Sequence, residues 1–432
     1  MAGAGLAAKA LSLLGTLFVM PIVLKNVGME RAGVWMAITS LMLVGSFSDF
    51  GIGNGVMNAV SEGKGRNNDL DIRAAVSNGF FALVVISTAL LLLSLGAWLI
   101  FDTSQIFLSR GSAYSNEFNL AFAIFLICFL GTIPFNVVQK VQLGLQEGHY
   151  FNAWQIAGSI MQFMALYFFS INRLPVAWLV LGSCAPALVV SILCHFYYFH
   201  RQRPEFSPVI RLLSRKNTYE IMSIGGLFLF LQLCGALAYT SDVIVVARTA
   251  GVVRVPEYVI AAKLFSIIPM FLGTILLPLW PMYGEAVARG DFPWAKRTLK
   301  RTMALALLVS VCAGGLIVLT GKFIIINWLG KTFPVSSNLL LAMAVWGVFD
   351  SLGNAYSMFL NGANVIRMQV IFAGIFAVTC LISRIFLTTH LGPIGIPLAT
   401  TICYIVFVVI PYSIMFRWVF RKLELRFQSE SS

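Results

Sequence analysis

The chain has 432 residues, of which 59% are hydrophobic and 11% charged, with a net charge of +13 and a mean hydropathy of +0.87. Soluble domains carry about 25% charged residues, so there is too little polar surface here to clothe a water-soluble fold, and lipid must be the solvent. Seven cysteines, all within apolar runs and without a CxxC pair, argue against a disulfide framework, a zinc site or a redox pair and read as small core residues.

Apolar runs of about 20 residues predict twelve transmembrane helices. They lie near 4–24, 33–60, 74–101, 119–141, 150–170, 175–199, 220–247, 255–283, 302–326, 338–361, 366–388 and 393–416. The first run leads straight into further spans, so a cleavable signal peptide is not expected. Connections on one side hold eighteen lysines and arginines, from Lys64 to Arg426; those on the other hold Lys25, Arg31, Arg110, Arg173, Arg254 and Lys331. The positive-inside rule makes the richer side cytoplasmic, with both termini on it. The basic excess is therefore topological, with attraction to anionic membrane lipids, and nucleic acid is not an expected partner.

The longest polar break, "HRQRPEFSPVIRLLSRKNTYE", divides the chain. The expected organisation is a six-helix lobe over 1–199, a basic linker over 200–219, a second lobe over 220–416 and a cytoplasmic tail over 417–432. Within the linker, Val209 to Leu213 places apolar residues at helical spacing among arginines, as for a segment lying on the inner leaflet. The lobes repeat. Gly28 and Gly251 are 251 − 28 = 223 positions apart, and the same offset relates Trp35 to Tyr258, Glu62 to Glu285 and Arg66 to Arg289. Two repeats with an even number of helices insert in the same orientation, which predicts an all-α membrane protein with two pseudo-symmetric bundles around a central cavity.

Ionised side chains deep in a span cost about 2.5–3.5 kcal/mol and usually face protein or water. At about 1.5 Å per residue, Lys9 and Asp49 fall at matching depths on spans 1 and 2. Asp242 and Lys263 do likewise on spans 7 and 8, and Asp350 lies near the middle of span 10. Each matched pair reads either as a buried structural lock or as the lining of a wet path. Lys140, Lys322, Arg248 and Arg384 lie near span ends, where snorkelling is expected, although Arg248 also stands close enough to Asp242 to face an outward-opening cavity. Gly51, Gly53 and Gly55, at the inner end of span 2, are expected on a helix as close-packing or hinge positions.

Enzyme signatures fail. "GGLIVLTGKF" lacks the spacing and the Ser/Thr of a P-loop, and "GIGNG" lacks both the last interval of a dinucleotide loop and a preceding strand. His149, His195, His200 and His390 are scattered, without a metal set, and His195 and His200 read as interfacial helix-end residues.

The stretch "PIVLKNVGMERAGVWMAITSLMLVGSFSDFGIGNGVMNAVSEGKGRNND" resembles the start of the oligosaccharide-repeat flippases of Wzx type. These belong to the larger superfamily that includes the MATE exporters and the lipid II flippases. "SDVIVVARTAGVVRVPEYVIAAKLFSIIPMFLGTILLPLWPMYGEAVARGD" is similar to the same family's spans 7 and 8. The resemblance covers essentially the whole chain and implies a V-shaped transporter that opens alternately to each side of a bacterial inner membrane. The implied cargo is an undecaprenyl-diphosphate-linked oligosaccharide, and the implied partners are a polysaccharide polymerase and a chain-length regulator. Carried over, the family's cavity positions fall on Lys9, Asp49, Asp242, Arg248 and Lys263. One departure is that the deep charges are mixed, so a strongly cationic lumen is not evident. No cofactor is expected, and coupling to a H+ or Na+ gradient would use the titratable deep groups. The alternatives are a cation-coupled MATE-type drug or metabolite exporter, using Asp49, Asp242 or Asp350, and a membrane scaffold for assembly enzymes.

Overall fold

A computed structural model of the chain describes residues 19, 22–40, 42, 49–100, 115–251, 254–329 and 336–431. Among these residues the protein is helical throughout, without a strand. Nine helical stretches among the described residues are long and apolar enough to cross a membrane. One of them, Ile366–Phe416, has 51 residues and contains two crossing-length helices that part at Gly392. Most of the first predicted span lies outside the described residues.

Many large apolar side chains face outward: Leu93 is 70% exposed and Leu319 82%. Only 17% of the most apolar window of Asp69–Gly96 is buried inside the protein, against 56% for Val176–Gln202. Lipid must cover the difference, so the first is a peripheral helix and the second a central one. All seven cysteines are unbridged and six are buried, but Cys312 is exposed, so it is not the core residue its apolar run suggested.

The chain forms two compact units, Met1–Gly226 and Leu227–Ser432. The first contains α1 (Met29–Ser40), α2 (Ile52–Gly65), α3 (Asp69–Ile100), α4 (Ser115–Phe135), α5 (Val137–Gly144), α6 (Gly148–Ile171) and α7 (Val176–Tyr197). It also holds the first part of α8 (Arg215–Thr240), whose remainder belongs to the second unit. Span 2 was expected to be one helix over 33–60, but α2 begins afresh after a turn at Asp49–Gly51. The Asp49 carboxylate accepts the Gly51 N–H at 2.9 Å, an Asx-type bond that competes with helix continuation. Phe50 (φ +50°) and Gly51 (φ +72°) are left-handed. Gly51 is thus the cap residue before α2 rather than a position within a helix.

α2 is buried on nearly every side, and its small residues permit this. A Cβ on Gly55 would stand 2.9 Å from the Ile221 carbonyl of α8, and a Cβ on Gly225 would stand 2.9 Å from the Ile52 nitrogen. Backbones this close require glycine on both helices, so Gly55 is a packing position.

Within the basic connection, two short 3-10 turns, Pro204–Phe206 and Ile210–Leu212, are strapped to α3. Ser77 Oγ accepts the Val209 N–H. The buried Asn78 donates to the Leu212 carbonyl at 3.0 Å and accepts from Ser214 N and Thr218 Oγ1. Four backbone and hydroxyl groups that would otherwise need water are satisfied by two side chains. Ile210 nevertheless remains 70% exposed, next to the exposed Arg211.

The second unit contains α9 (Asp242–Thr249), α10 (Val255–Phe265), α11 (Ile267–Leu276), α12 (Leu279–Ala288), α13 (Phe292–Leu329), α14 (Ser337–Gly362), α15 (Ile366–Leu391), α16 (Gly395–Tyr404) and α17 (Ile410–Ser431). A π turn over Ile405–Val409 joins α16 to α17. Span 7 breaks at Ser241, whose hydroxyl bonds back to the Leu237 carbonyl at 2.7 Å. Span 8 breaks at Ser266, which does the same to Lys263, and again before Pro278, which has no N–H to give. Residues 417–431 continue α17, with Val419, Phe420 and Leu423 buried beside Tyr283, Leu299 and Phe359.

The repeat inferred from four matched positions holds in local detail. Gly28 and Gly251 both turn left-handed, at φ +90° and +93°. Glu62 pairs with Arg66 at 2.9 Å and Glu285 with Arg289 at 3.0 Å. Asn67 and Gly290, also 223 apart, are left-handed too. The next residues, Asn68 and Asp291, each accept the backbone N–H three positions on, from Asp71 and Trp294, and so cap α3 and α13 alike.

Candidate functional site

In the second unit the break at Ser241 sets Asp242 at the start of α9, facing two helices. Arg384 of α15 reaches it with Nη1 2.6 Å from Oδ1, and the Tyr258 hydroxyl of α10 donates to Oδ2. Arg384 also donates to Thr400 Oγ1 at 2.8 Å and to the Ala238 carbonyl. Arg384 is 1% exposed and the Asp242 side chain 14%. The node therefore joins α8, α9, α10, α15 and α16 at one buried ion pair.

This corrects two expectations. Asp242 does not pair with Lys263, which is exposed and makes no ion pair among the described residues. Arg384 does not snorkel. The reason is rotational: equal depth on consecutive helices says nothing about which way either side chain points. Arg384 lies eight residues before Gly392, as Asp242 lies eight before Ala250, so the same depth arithmetic applied to span 11 finds the true partner. Arg248 is exposed and unpaired among the described residues.

In the first unit Asp49 and Lys140 flank Gly53. A Cβ there would meet Asp49 Oδ2 at 2.5 Å and Lys140 Cγ at 3.0 Å. Lys140 donates to the buried Asn54 Oδ1 at 2.6 Å, so it turns inward rather than snorkelling. Gly53 is the gap that lets a lysine stem and a carboxylate lie against the start of α2. Lys9, the partner expected for Asp49, lies outside the described residues. Asp350 is half-buried on α14, and its side chain has no hydrogen-bond partner among the described residues; only its carbonyl is engaged, by Asn354.

Two more polar groups bear on the first unit. Glu147, in the connection between α5 and α6, accepts from Arg203 and from the Tyr198 hydroxyl. Burial pushes its carboxyl up, but the Arg203 and Tyr198 bonds prevail and hold it below the usual range. His195, in the last turn of α7, is buried, with its ring stacked on Phe80 at 4.8 Å between centroids and edge-on to Phe135 and Phe199, and its Nδ1 has no hydrogen-bond partner among the described residues. Among the described residues no three His, Cys, Asp or Glu side chains group as a metal site would require.

A buried ion pair in the second unit and a lysine and a carboxylate packed beside Gly53 in the first, with no metal-binding cluster among the described residues, suit the movement of a solute. The polysaccharide biosynthesis protein family matches residues 4–287 of the chain. The chain belongs to that family. A "Putative O-antigen transporter" of Salmonella typhi is 22% identical over 384 residues, covering 86% of this chain and 85% of that protein. A "Putative O-antigen export protein" of Yersinia pseudotuberculosis is 26% identical over 357 residues, covering 78% and 77%. Among solved structures, a MATE transporter in the bent conformation superposes with a TM-score of 0.80 at 15% identity, over 99% of this chain and 94% of that one. An outward-facing multidrug resistance MATE transporter gives 0.76 at 14% identity, over 99% and 93%. At such identity the likeness speaks for the fold alone. This polysaccharide biosynthesis protein is thus an all-α, multi-pass membrane transporter with a MATE-like fold, not an enzyme.

Proposed function

We propose that the protein is a flippase that turns polyprenyl-diphosphate-linked oligosaccharide units from the cytoplasmic to the outer leaflet of a bacterial inner membrane for surface polysaccharide assembly. The observation that carries this reading is the family match across residues 4–287, together with relatives named for O-antigen transport that align over most of their own length. The charged nodes support it. Asp242–Arg384 and Asp49–Lys140 put opposite charges at helix breaks, where a local change of pairing can move a helix segment. A H+ or Na+ gradient supplies the energy, through titratable groups such as Asp49, Asp242 and Asp350. Both termini lie in the cytoplasm, and a polymerase and a chain-length regulator receive the flipped unit.

Deleting the gene tests the reading. Surface polysaccharide should disappear while the lipid-linked unit accumulates on the cytoplasmic side, and normal export in such a strain would refute it. Reporter fusions at the two ends check the orientation.

A further inference from the structure

The second unit holds a slot of about 650 Å³ between α13, α14 and the rod made of α16, the π turn and α17. Its lining residues are mostly apolar and aromatic, and those that carry a polar group are few: Lys300, Ser413, Tyr356, Tyr404 and Tyr412. Four features suggest an occupant.

The first is its construction. Val408 and Val409 of the π turn line the slot, and π turns widen a helix and recur at functional sites. Just before the turn, Tyr404 is held edge-on by Trp346 and Phe376 at 5.4 and 5.5 Å. Its hydroxyl fills the place a Cβ on Gly353 would take.

The second is its length. Tyr404 and Phe416 are 416 − 404 = 12 residues apart, so the lined face runs about 18 Å. That is more than half the ~30 Å hydrocarbon core.

The third is its opening. Ile414 lines the slot and is also 75% exposed, so the slot opens on a surface that faces acyl chains rather than water.

The fourth is charge. Lys300 stands at the end of α13 that the positive-inside pattern assigns to the cytoplasm. Lys296, one turn away, lies 6.0 Å from the Phe420 ring. An ammonium group on a flexible stem suits a phosphate. Tyr356 and Tyr412, their rings 5.2 Å apart, have hydroxyls without partners among the described residues.

We propose that this slot binds the isoprenoid chain of the carrier lipid from the inner leaflet, with Lys300 holding its diphosphate. This rests on the flippase reading. One slot accepts one chain, whereas a diacyl phospholipid would leave its second chain outside. Aromatic walls also suit the flat, unsaturated units of an isoprenoid.

The test uses the full chain in phosphatidylcholine nanodiscs and a sugar-free polyprenyl diphosphate with a photoactivatable group on its chain. Crosslinks should map to 349–356 and 404–416 and survive excess phosphatidylglycerol. Ser413→Trp, and independently Val409→Trp, should fill the slot and cut labelling at least tenfold. Lys300→Gln should weaken labelling about fivefold, with Lys300→Arg restoring it. Crosslinks elsewhere, undiminished labelling in a folded Trp variant, or equal displacement by phosphatidylglycerol would overturn the assignment. A deletion strain that still exports polysaccharide defeats the flippase reading but leaves the labelling result intact. A Trp variant that loses labelling yet restores export removes the slot from the transport path without touching that reading.

Discussion

Arg384→Leu is the sharpest probe of the Asp242 node. At 2.6 Å the two charges attract by about 6 kcal/mol at an effective dielectric of about 20. Desolvating both ions costs several kcal/mol each, so the intact pair contributes little net stability, but either charge left alone is expensive. Arg384→Leu strands the Asp242 carboxylate with only the Tyr258 hydroxyl and leaves the Ala238 carbonyl without its donor; the expected cost is about 3–5 kcal/mol. Asp242→Asn should cost less, about 2 kcal/mol, because Arg384 keeps Thr400 and Ala238 as acceptors. The double variant should recover most of the loss, since no unpaired charge remains. For a unit of this size each kcal/mol moves Tm by about 2–4 °C, so Arg384→Leu should lower it by about 10 °C. The assay is thermal unfolding of the detergent-solubilised chain at one fixed scan rate, read as surviving monodisperse protein. If Arg384→Leu melts within 2 °C of wild type, or the double variant is worse than the sum of the singles, the node is not a coupled ion pair and the reasoning fails.

Other expectations follow from single contacts. Gly55→Val should cost about 1–3 kcal/mol by overpacking, because its first added atom falls 2.9 Å from the Ile221 carbonyl; the same melting assay reads it. Gly51→Ala forces a Cβ into a left-handed residue and should cost about 1–2 kcal/mol; a gain in stability would contradict the turn. Glu147 is held below its ordinary range by Arg203 and Tyr198, with His149 nearby. Its contribution is therefore present above the unfolded carboxylate pKa of about 4.3 and lost as pH falls through the lower folded value. Glu147→Gln should flatten the acid limb of the stability profile below about pH 4, and an unchanged limb would remove the cluster from the account. Gly353→Ala sets a methyl on the Tyr404 hydroxyl and should displace that ring, read as altered tyrosine fluorescence and faster proteolysis near the π turn.

The amino-acid sequence by itself determined the solvent, the helical class and the twofold plan. Those depend on summed quantities: long apolar runs, sparse charge, and a 223-residue offset that survives down to left-handed Gly28 and Gly251. It also marked Asp49 and Asp242 as costly positions, because depth along a helix is arithmetic. Tertiary structure alone decided which charges meet, since rotation about a helix axis and breaks at Ser241, Ser266 and Asp49–Gly51 turn side chains that depth leaves undirected. Hence Arg384 rather than Lys263 faces Asp242, Lys140 turns inward to Asn54, and the basic connection is pinned to α3 by Asn78. Pattern and length are local properties of a chain, whereas direction is settled only when neighbouring helices compete for the same space.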